Sequence, residues 1–409
     1  MRGRSRADEG VRILVIHEVN YLSKIIYEFQ ILPELLSILG NDVEIVDYND
    51  TWKTEKDGGW FNLRSVVHMN VHRAYPNASV TLRRPGQLRL PVVARISGAL
   101  TAACEFVRAM KQRRPDVVLL YGLPTVGVQA LLAARRFGIP VVFRAIDVSH
   151  QLVPNPVLVP ITKVLEKFVF NSVDFNIALT PHLKDYILSY GVPEMNVRLL
   201  PSGVDAAMFS PGPRNDELMR GWGIEPGDPV ILFMGTIYRF SGLDRVIEHF
   251  PEVLPKHPKA RLLIVGNGDD EQRLRALAVT CGVERHVVFT GLQSYSLLPD
   301  VIRSSDLCIN PFELNGITRN ILPTKLFQYM TCKKAVLATS LPGTRTFLEG
   351  ENEGIVYAPL EHFNEHINEL LADPARRVRL GERGFETARQ YDWLAIAKTM
   401  ASWLREAAA

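Results

Sequence analysis

The sequence predicts an α/β protein made of two domains, each with a doubly wound parallel sheet covered by helices. Apolar, β-branched segments alternate with helical segments along most of the 409-residue chain. These segments carry almost no charge, as expected of strands that are buried on both faces of a parallel sheet. A chain of this length also exceeds what one hydrophobic core usually serves, so two domains are expected.

The predicted strands form two series along the chain. The first series is VRILVI, DVEIVDY, DVVLLY, PVVFRA, FNIALT and VRLLP, and the second is VILFMG, ARLLIVG, HVVFTG, LCINP and AVLAT. Between them lies AAMFSPGPRNDEL, whose proline and glycine residues interrupt a polar segment. The predicted limits are therefore a first domain at 1–205, a linker at 206–225, a second domain at 226–388 and a terminal helix at 389–409.

Composition and charge exclude several classes of protein. The formal net charge is only +3, which argues against a dedicated nucleic-acid binder. The four cysteines form neither a C-x-x-C pair nor a ligand-like cluster, which favours reduced thiols in the cytoplasm and no structural zinc. The first strand, VRILVIH, is too short an apolar run for the core of a signal peptide.

One uncharged stretch has about the length of a membrane span. It covers residues 117–134, VVLLYGLPTVGVQALLAA. Gly122 and Pro124 divide the stretch into a β-branched strand and a helix, and the next strand follows in FGIPVVFRAID. We therefore interpret it as a strand-turn-helix unit of the first sheet.

Loops that follow the strands are the places to look for chemistry, because ligands of doubly wound sheets bind at the carboxyl ends of the strands. The loop after VILFMG contains Gly235 and Arg239, and the loop after ARLLIVG contains only part of a glycine fingerprint. The segment LCINPFELNGITRNILPTK ends in a proline that is well placed to open a helix, whose amides favour an anion.

Several of these segments resemble one known family in the same order. VRLLPSGVDAAMFSP resembles the interdomain signature of family 4 glycosyltransferases, and LLIVGNGDD, VVFTG, SSDLCINPF and PTKLFQYMTCKKAVLAT follow the family over residues 165–400. The resemblance implies the GT-B fold, with two facing Rossmann-like domains and a cleft between them. It also implies a retaining transferase that takes a nucleotide-diphosphate sugar as substrate and needs no cofactor and no metal.

The resemblance also implies roles for individual residues. The catalytic candidates are Arg239 and Lys325, two cations that suit a departing phosphate, and Asp147. The candidates for donor binding are Gly235, Thr236, Ser241, Gly266, Gly291, Leu292, Glu313, Asn320, Thr324 and Gln328. The alternatives are that Arg239 is a solvated surface arginine and that Gln328 is an ordinary polar helix residue.

Four positions depart from the family pattern. Gln328 replaces a glutamate that receives the ribose hydroxyls, which removes a charge-assisted hydrogen bond at a cost of roughly 1 kcal/mol. Thr236 and Ser241 occupy slots where an arginine and a lysine are usual. Ile146 occupies a histidine slot beside Asp147, and His150 lies three residues further along the loop. Glu313 is too far from Gln328 for the usual spacing.

The first domain is expected to hold a glycan or lipid-linked acceptor. Between residues 61 and 114 there are ten Lys or Arg residues and one acid, Glu105. This basic, amphipathic stretch is interpretable either as a surface for an anionic membrane or as a solvated face beside the core. The loop HEVNYLSK, with His17 and Asn20, is expected to line the interdomain cleft together with His150.

Two functions remain open at the level of sequence, besides a less favoured epimerase acting on the nucleotide sugar. One is a cytoplasmic glycosyltransferase, peripheral to the membrane or not, that builds a polysaccharide or glycolipid. The other is a catalytically weak, nucleotide-sugar-binding partner of an active transferase, which the four departures favour. The terminal helix, with Trp393, Ile396, Met400 and Trp403 at helical spacing, is expected to return to the first domain as in the family.

Overall fold

The computed structural model describes residues 10–24, 26–48, 61–88, 93–153 and 155–409. The chain forms two compact units. The first comprises Met1–Pro201 together with Trp393–Ala409, and the second comprises Ser202–Asp392. Each unit contains one large sheet that is parallel except for a single edge strand of the first.

The first unit is built on an eight-stranded sheet in the order β10-β9-β8-β7-β1-β2-β5-β4, beside a two-stranded sheet of β3 and β6. Its strands are β1 (Arg12–Ile16), β2 (Asp42–Val46), β3 (Phe61–Asn62), β4 (Val66–Val71), β5 (Val80–Arg84), β6 (Gln87–Leu88), β7 (Val117–Leu120), β8 (Val141–Ala145), β9 (Phe175–Ala178) and β10 (Val197–Leu199). Only β4 runs antiparallel to its neighbour in the large sheet. Every residue of β7 and β8 is buried, because helices cover both faces of the sheet.

Helices form the outer layers of the first unit. They are α1 (Glu28–Ile38), α2 (Val93–Arg113), α3 (Gly127–Phe137), α4 (Val159–Phe170), α5 (Pro181–Leu188) and, at the end of the chain, α14 (Trp393–Ala408). Helices α2 to α5 contribute to the core on one face of the sheet, whereas α1 and α14 contribute to the core on the other. The uncharged stretch at 117–134 thus forms β7, a turn and most of α3, and no helix in the described part of the chain is long and apolar enough to cross a bilayer.

The second unit is built on a six-stranded parallel sheet in the order β13-β12-β11-β14-β15-β16. Its strands are β11 (Val230–Met234), β12 (Arg261–Val265), β13 (Val287–Gly291), β14 (Leu307–Asn310), β15 (Val336–Ala338) and β16 (Ile355–Tyr357). Its helices are α6 (Asp216–Arg220), α7 (Leu243–Glu248), α8 (Glu271–Thr280), α9 (Leu298–Arg303), α10 (Lys325–Thr331), α11 (Pro342–Arg345), α12 (Phe363–Ala372) and α13 (Pro374–Ala388). Two apolar clusters pack on the two faces of this sheet.

The strand orders locate one switch point in each sheet. In the first unit the chain continues outward from β1 through β2 on one side and from β7 through β8 on the other. In the second unit the same reversal separates β11 from β14. A crevice forms at the carboxyl ends of the strands on either side of such a point, and ligands of doubly wound folds bind there.

Candidate functional site

Three glycines bring together the loops that follow the central strands of the second unit. Gly235 has a φ of +139°, and a Cβ atom added to it would lie 2.9 Å from the Nζ atom of Lys325. A Cβ atom on Gly266 would lie 2.0 Å from the Gly235 carbonyl oxygen, and one on Gly268 would lie 2.2 Å from the Ile237 carbonyl oxygen. Only residues without a side chain allow this approach, so the glycines shape the crevice at the switch point.

Lys325 begins α10, and its ammonium group lies at this crevice. Its Nζ atom is 4.1 Å from the centre of the Phe233 ring and 4.4 Å from the centre of the Phe312 ring. Among the described residues, no acid forms an ion pair with it. Burial lowers the pKa of Lys325 to about 7. The ring faces stabilise the ammonium in part, and an anion at this position would stabilise it much further.

Arg239 lies in the same loop as Gly235 but in a different environment. It starts the short turn Arg239–Ser241 and is exposed. None of the hydrogen bonds or ion pairs between described residues involves its guanidinium group. The side chain is therefore available to a ligand at the surface of the loop.

The Ser241 side chain is turned into its own loop, and the assignment of this residue to donor binding stays a prediction. The residue is fully buried. Its hydroxyl accepts a hydrogen bond from the Tyr238 amide at 3.0 Å and donates one to the Thr236 carbonyl at 3.4 Å. The hydroxyl thus closes the turn, as serine side chains commonly do next to their own backbone. Thr236 itself is half-buried in the loop.

The loop after β14 forms the opposite side of the switch point. Phe312 is buried against Lys325, and the half-buried Glu313 donates its amide to the Phe240 carbonyl at 2.9 Å. Asn320 is half-buried, and its backbone lies close to Gly343. A Cβ atom added to Gly343 would be 2.4 Å from the Asn320 carbonyl carbon. The loop is therefore fixed by its backbone, which leaves the Glu313 and Asn320 side chains at its surface.

Thr324 and Gln328 lie on the first turn of α10. The Gln328 amide donates to the Thr324 carbonyl at 3.3 Å, and both residues are half-buried. The Gln328 side chain hydrogen-bonds the hydroxyl of Tyr295, whose pKa is raised by burial and by the charge of Asp205. Gln328 is thus held by a neighbouring side chain, which leaves its remaining hydrogen-bonding capacity for another group.

The loop after β13 borders the glycine crevice. Gly291 has a φ of +69°, and its carbonyl accepts the Gly266 amide at 3.0 Å. Leu292, the next residue, is exposed. Gly235, Gly266 and Gly291 are therefore connected through their backbones, whereas Leu292 projects its side chain to solvent.

A cavity of about 440 Å³ lies in the first unit at the switch point between β1 and β7. It is lined by Glu18, Val19, Tyr27, Phe29, Arg95, Tyr121, Gly122, Leu123, Pro124, Phe143, Arg144, Ala145, Ile146, Asp147, Ser149, Leu152 and Val153. Most of these residues belong to the loops after β1, β7 and β8. The cavity therefore combines apolar walls with a few charged groups, as small-molecule sites commonly do.

Glu18 is fixed at one side of the cavity by the start of α3. Its carboxylate accepts hydrogen bonds from the amides of Thr125 at 2.7 Å and Val126 at 3.0 Å. Burial raises the pKa of Glu18, and the amide hydrogen bonds oppose that shift. Arg95 donates to the Thr125 hydroxyl at 3.1 Å, which places a cation next to this carboxylate.

An ion pair between Arg144 and Glu28 forms the floor of the cavity, and our sequence analysis missed it. Both side chains are fully buried, and they are joined by two hydrogen bonds of 2.6 Å and 3.0 Å. A third bond of 2.6 Å runs from Arg144 to the Leu200 carbonyl. An arginine inside the otherwise apolar strand VVFRA was the available signal, because a buried charge requires a partner.

Asp147 lines the cavity and keeps an exposed surface. The surrounding protein raises the pKa of Asp147 by removing water from its carboxylate, and the negative charge of Glu28 acts in the same direction. The Asp147 carboxylate is thus a titratable group at the rim of the cavity, in the loop after β8. Its neighbour Ile146 contributes an apolar wall.

His17 and Asn20 are buried inside the first unit, and their assignment to the cleft stays a prediction. His17 is 1% exposed, with its ring 6.1 Å from the Tyr21 ring and 5.4 Å from the Phe29 ring. Asn20 accepts a hydrogen bond of 2.6 Å from Arg84, which also pairs with Asp47. Both side chains serve the packing beneath the loop after β1.

His150 also points away from the cavity that the residues around it line. Its Nδ1 atom is 3.1 Å from the Glu166 carboxylate and 2.9 Å from the Tyr186 hydroxyl. Its backbone amide donates to the same carboxylate at 3.0 Å. His150 therefore ties the turn before α4 to the helix itself, and its assignment as a cleft residue stays a prediction.

Four of the ten basic residues at 61–114 form ion pairs between described residues. Arg83 pairs with Glu44 and Glu105, and Arg108 pairs with Glu105 as well. Further pairs join Arg84 to Asp47, and Arg113 to Asp42 and Glu44. Part of the excess charge that the sequence suggested for a surface is thus paired inside the first unit.

Across the described residues, His, Cys, Asp and Glu side chains nowhere form a group of three that could hold a metal ion.

Two family models match the chain. Residues 62–203 match the model described as "Glycosyl transferase 4-like domain", and residues 214–387 match "Glycosyl transferases group 1". The two matches lie in the two structural units and together span most of the chain.

Two curated relatives illustrate the similarity. The D-inositol 3-phosphate glycosyltransferase of Segniliparus rotundus is 28% identical over 236 residues, which is 55% of this chain and 50% of the relative. The GDP-mannose-dependent monoacylated alpha-(1-6)-phosphatidylinositol monomannoside mannosyltransferase of Corynebacterium glutamicum is 29% identical over 197 residues, which is 45% of this chain and 49% of the relative. This chain thus matches about half the length of each of these relatives.

Solved structures agree on the fold. The structure of Anabaena HepE in complex with UDP and glucose has a TM-score of 0.73 with this protein at 14% sequence identity, covering 97% of this chain and 100% of that one. At this identity the likeness concerns the fold alone. The family matches and the two parallel-sheet units agree with it: the chain belongs to the group 1, family 4-like glycosyltransferases and has the GT-B fold.

Proposed function

We propose that the protein transfers a sugar from a nucleotide-diphosphate donor to a glycan or glycolipid acceptor, with retention of anomeric configuration and without a metal or cofactor. The observation that carries the proposal is the Lys325 ammonium group at the switch point of the second unit, which has no carboxylate partner among the residues that the structure describes. A Cβ atom on Gly235 would lie 2.9 Å from the Lys325 Nζ atom, so the missing side chain leaves room beside the ammonium for a ligand.

The chemistry of such a transfer requires stabilisation of the negative charge that grows on the departing phosphate. A diphosphate next to Lys325 would supply the anion that this lysine lacks and would raise its pKa back toward the ordinary value. Arg239, exposed in the same loop, is the second cation proposed to contact the phosphates, because its planar group suits paired phosphate oxygens. Gln328 and the surface side chains of Glu313 and Asn320 are proposed to contact the rest of the donor.

The cavity of the first unit is the proposed acceptor site. Asp147, Glu18 and Arg95 offer hydrogen-bonding groups for hydroxyls or a phosphate, and the apolar walls suit the carbon surface of a sugar or the start of a lipid. The names of the two relatives specify an inositol phosphate and an acylated phosphatidylinositol monomannoside. These names support a glycolipid or a related polar acceptor. We propose that the transfer serves cell-envelope glycolipid or polysaccharide synthesis at the cytoplasmic side of a membrane.

A catalytically weak partner protein is the second candidate. It is favoured by the buried hydroxyl of Ser241, which cannot replace the lysine usual at that position, and by the neutral Gln328. Such a protein would bind a nucleotide sugar without transferring it. The nucleotide-binding and turnover steps therefore have to be measured separately.

The first experiment is a thermal-shift screen with nucleotide sugars, followed by an assay of donor hydrolysis and transfer in the presence of EDTA. A donor at a hundred times its dissociation constant should add about 2.7 kcal/mol of stability. The anomeric configuration of the product, read by NMR, tests retention. Loss of turnover in EDTA that added metal restores would refute metal independence.

Three variants connect the assay to the site. Lys325→Ala and Arg239→Ala should each lower kcat by about a hundredfold, since one fixed donor to developing charge contributes roughly 3 kcal/mol. Lys259→Ala, an exposed lysine on the second unit, is the matched control and should leave kcat unchanged. Tight donor binding with no turnover in the wild-type protein would favour the partner-protein alternative.

A further inference from the structure

An apolar stripe lies on the outer surface of α4 and the turn before it. Its members are spaced by four, three and four residues from Val157 to Phe168, so they share one face of the helix. Their side chains are far more exposed than is usual for apolar residues: Val157 is 74% exposed, Val164 67%, Ile161 55% and Phe168 39%, and Leu152, in the preceding turn, is 57% exposed. We refer to these five residues as the α4 face.

The acid that belongs to α4 is withdrawn from the surface. Glu166 is the only acidic residue between Asp147 and Asp174. It is fully buried and accepts hydrogen bonds from the Tyr186 hydroxyl at 2.5 Å and from the Tyr190 hydroxyl at 3.1 Å. The exposed surface of this segment therefore carries no negative charge.

Cations surround the α4 face. Lys163 and Lys167 are exposed on α4 itself, and Arg135 and Arg136 are exposed at the end of α3. The guanidinium carbon of Arg135 is 6.0 Å from the centre of the Phe168 ring. Within the described residues, none of these four side chains forms an ion pair, in contrast to Arg83, Arg84, Arg108 and Arg113 of the basic stretch.

We propose that the α4 face docks on an anionic lipid surface. Exposed apolar side chains with a rim of uncompensated lysines and arginines are the composition of a helix that lies in the headgroup region of a membrane. The twelve residues of α4 make a helix of only about 18 Å, whose outer face has an area on the order of 200 Å². A stable protein interface needs about 800 Å² on each partner, so a bilayer fits this stripe better than a second copy of the chain does.

The position of the α4 face relates docking to the proposed acceptor site. Leu152 belongs to the face and, with its neighbour Val153, also lines the cavity of the first unit. A lipid-linked acceptor could then enter the cavity from the surface on which the protein is docked. This relation rests on the proposed function, whereas docking itself does not.

Vesicle sedimentation without any donor tests docking separately from activity. The wild-type protein should bind phosphatidylcholine vesicles that contain phosphatidylglycerol, and bind less as salt is added. The double variant Ile161→Glu/Val164→Glu should lower the partition coefficient at least tenfold. Val378→Glu is the matched control, since Val378 is a 63% exposed apolar residue on a helix of the second unit, and it should bind as the wild type does.

A second variant covers the case in which the first one folds poorly. Lys163→Ala/Lys167→Ala changes only exposed charges and should lower binding by about fivefold for each lysine, with a weaker dependence on salt. The thermal shift with a nucleotide sugar, measured on every variant, should stay at the wild-type value. If the wild type shows no thermal shift with a nucleotide sugar, this result would count against the proposed function and not against docking.

Three results would overturn the proposal. Unchanged vesicle binding by both α4 variants is the first. The second is loss of binding in Ile96→Glu/Leu100→Glu, on the exposed side of α2, while the α4 variants bind normally. The third is a wild-type dimer, seen by light scattering, that Ile161→Glu/Val164→Glu converts to a monomer while no form of the protein binds vesicles.

Discussion

At the scale of single residues, two cationic side chains are shielded from water, and the protein stabilises their charges in different ways. Arg144 has a carboxylate partner in Glu28, and both are fully buried. Lys325 has two aromatic rings and no ion-pair partner among the described residues. The first arrangement is complete within the protein and is expected to serve stability. The second is incomplete and is expected to serve a ligand.

The first prediction is that donor binding takes up a proton through Lys325. Its pKa of about 7 in the free protein means that the amine is largely neutral at pH 8 and largely charged at pH 6. A bound diphosphate favours the charged form, so binding should take up most of a proton at pH 8 and little at pH 6, and affinity should fall as the pH rises through 7. Calorimetry in two buffers with different ionisation enthalpies measures this uptake.

Lys325→Ala is the control for this measurement, because it removes the titrating group and leaves the rest of the crevice. The variant should bind the same donor more weakly and with the same proton uptake at pH 6 and pH 8. Equal uptake by the wild type and the variant at pH 8 would show that another group titrates on binding.

The second prediction concerns the ion pair on the cavity floor. Arg144→Met should lower the free energy of unfolding by about 3–5 kcal/mol, because it leaves the buried Glu28 carboxylate without its partner. Lys184→Met removes a more exposed pair with Glu194 in the same unit and should cost far less, because water screens exposed ion pairs. Urea denaturation measures both values, and a similar small cost for the two variants would mean that Glu28 finds another partner.

At the scale of secondary-structure elements, glycines at the ends of the strands determine the course of the loops that follow them. The loop after β11 turns at Gly235 with a φ of +139° and lies against the loop after β12 at Gly266, with a φ of +134°. Side chains cannot enter either position without moving the backbone or Lys325. The glycines therefore determine how close a ligand can come to the ends of β11 and β12.

The third prediction separates strain in this loop from its contact with Lys325. Gly235→Ala should destabilise the protein by about 1–3 kcal/mol through its φ and should also displace the Lys325 ammonium, which lies 2.9 Å from the new Cβ atom. Gly282→Ala is the control, because its φ is +68° and open space surrounds the new Cβ atom. Denaturation should show losses for both variants, whereas only Gly235→Ala should weaken donor binding. Equal donor affinity in the two variants would contradict the contact.

Every strand that the sequence analysis identified is present, because buried parallel strands consist of apolar, β-branched runs bounded by turns. Five strands were missed: β3, β4, β5, β6 and β16. β3 and β6 have two residues each, β16 has three, β4 is mostly exposed, and β5 ends in two arginines. The directions of side chains were predicted less well. His17 directly follows β1, whose apolar residues point to both faces of the sheet. The sequence pattern therefore does not indicate on which face of the sheet the His17 ring packs. The inward turn of Ser241 depends on the local hydrogen bonds of its loop, which its position in the sequence does not reveal.

At the scale of the whole molecule, the chain leaves the first unit after Pro201, builds the second, and returns to the first at Trp393. The returning helix α14 buries Trp393, Ile396, Met400 and Leu404 in the core that α1 also contributes to. Trp403 is partly buried against this core, and its ring lies 5.2 Å from the guanidinium carbon of Arg198. The stability of the first unit therefore depends on residues that are synthesised after the second unit.

The last prediction is that a chain ending at Asp392 has a disordered or aggregating first unit and an intact second one. Removal of α14 exposes the apolar surface that its buried side chains cover, and this surface should bind ANS and promote association. Calorimetry should then show one unfolding transition in place of two, and the remaining transition should still shift with a nucleotide sugar, because Gly235, Lys325 and Gln328 all belong to the second unit. A chain ending at Arg405 is the matched control: it keeps Leu404, and it loses the partly exposed pair of Arg198 with Glu406 and the partly buried Ala407 and Ala408, so the buried side chains of α14 still cover the core. A truncated chain that binds no ANS and keeps both transitions would mean that the first unit folds without its last helix.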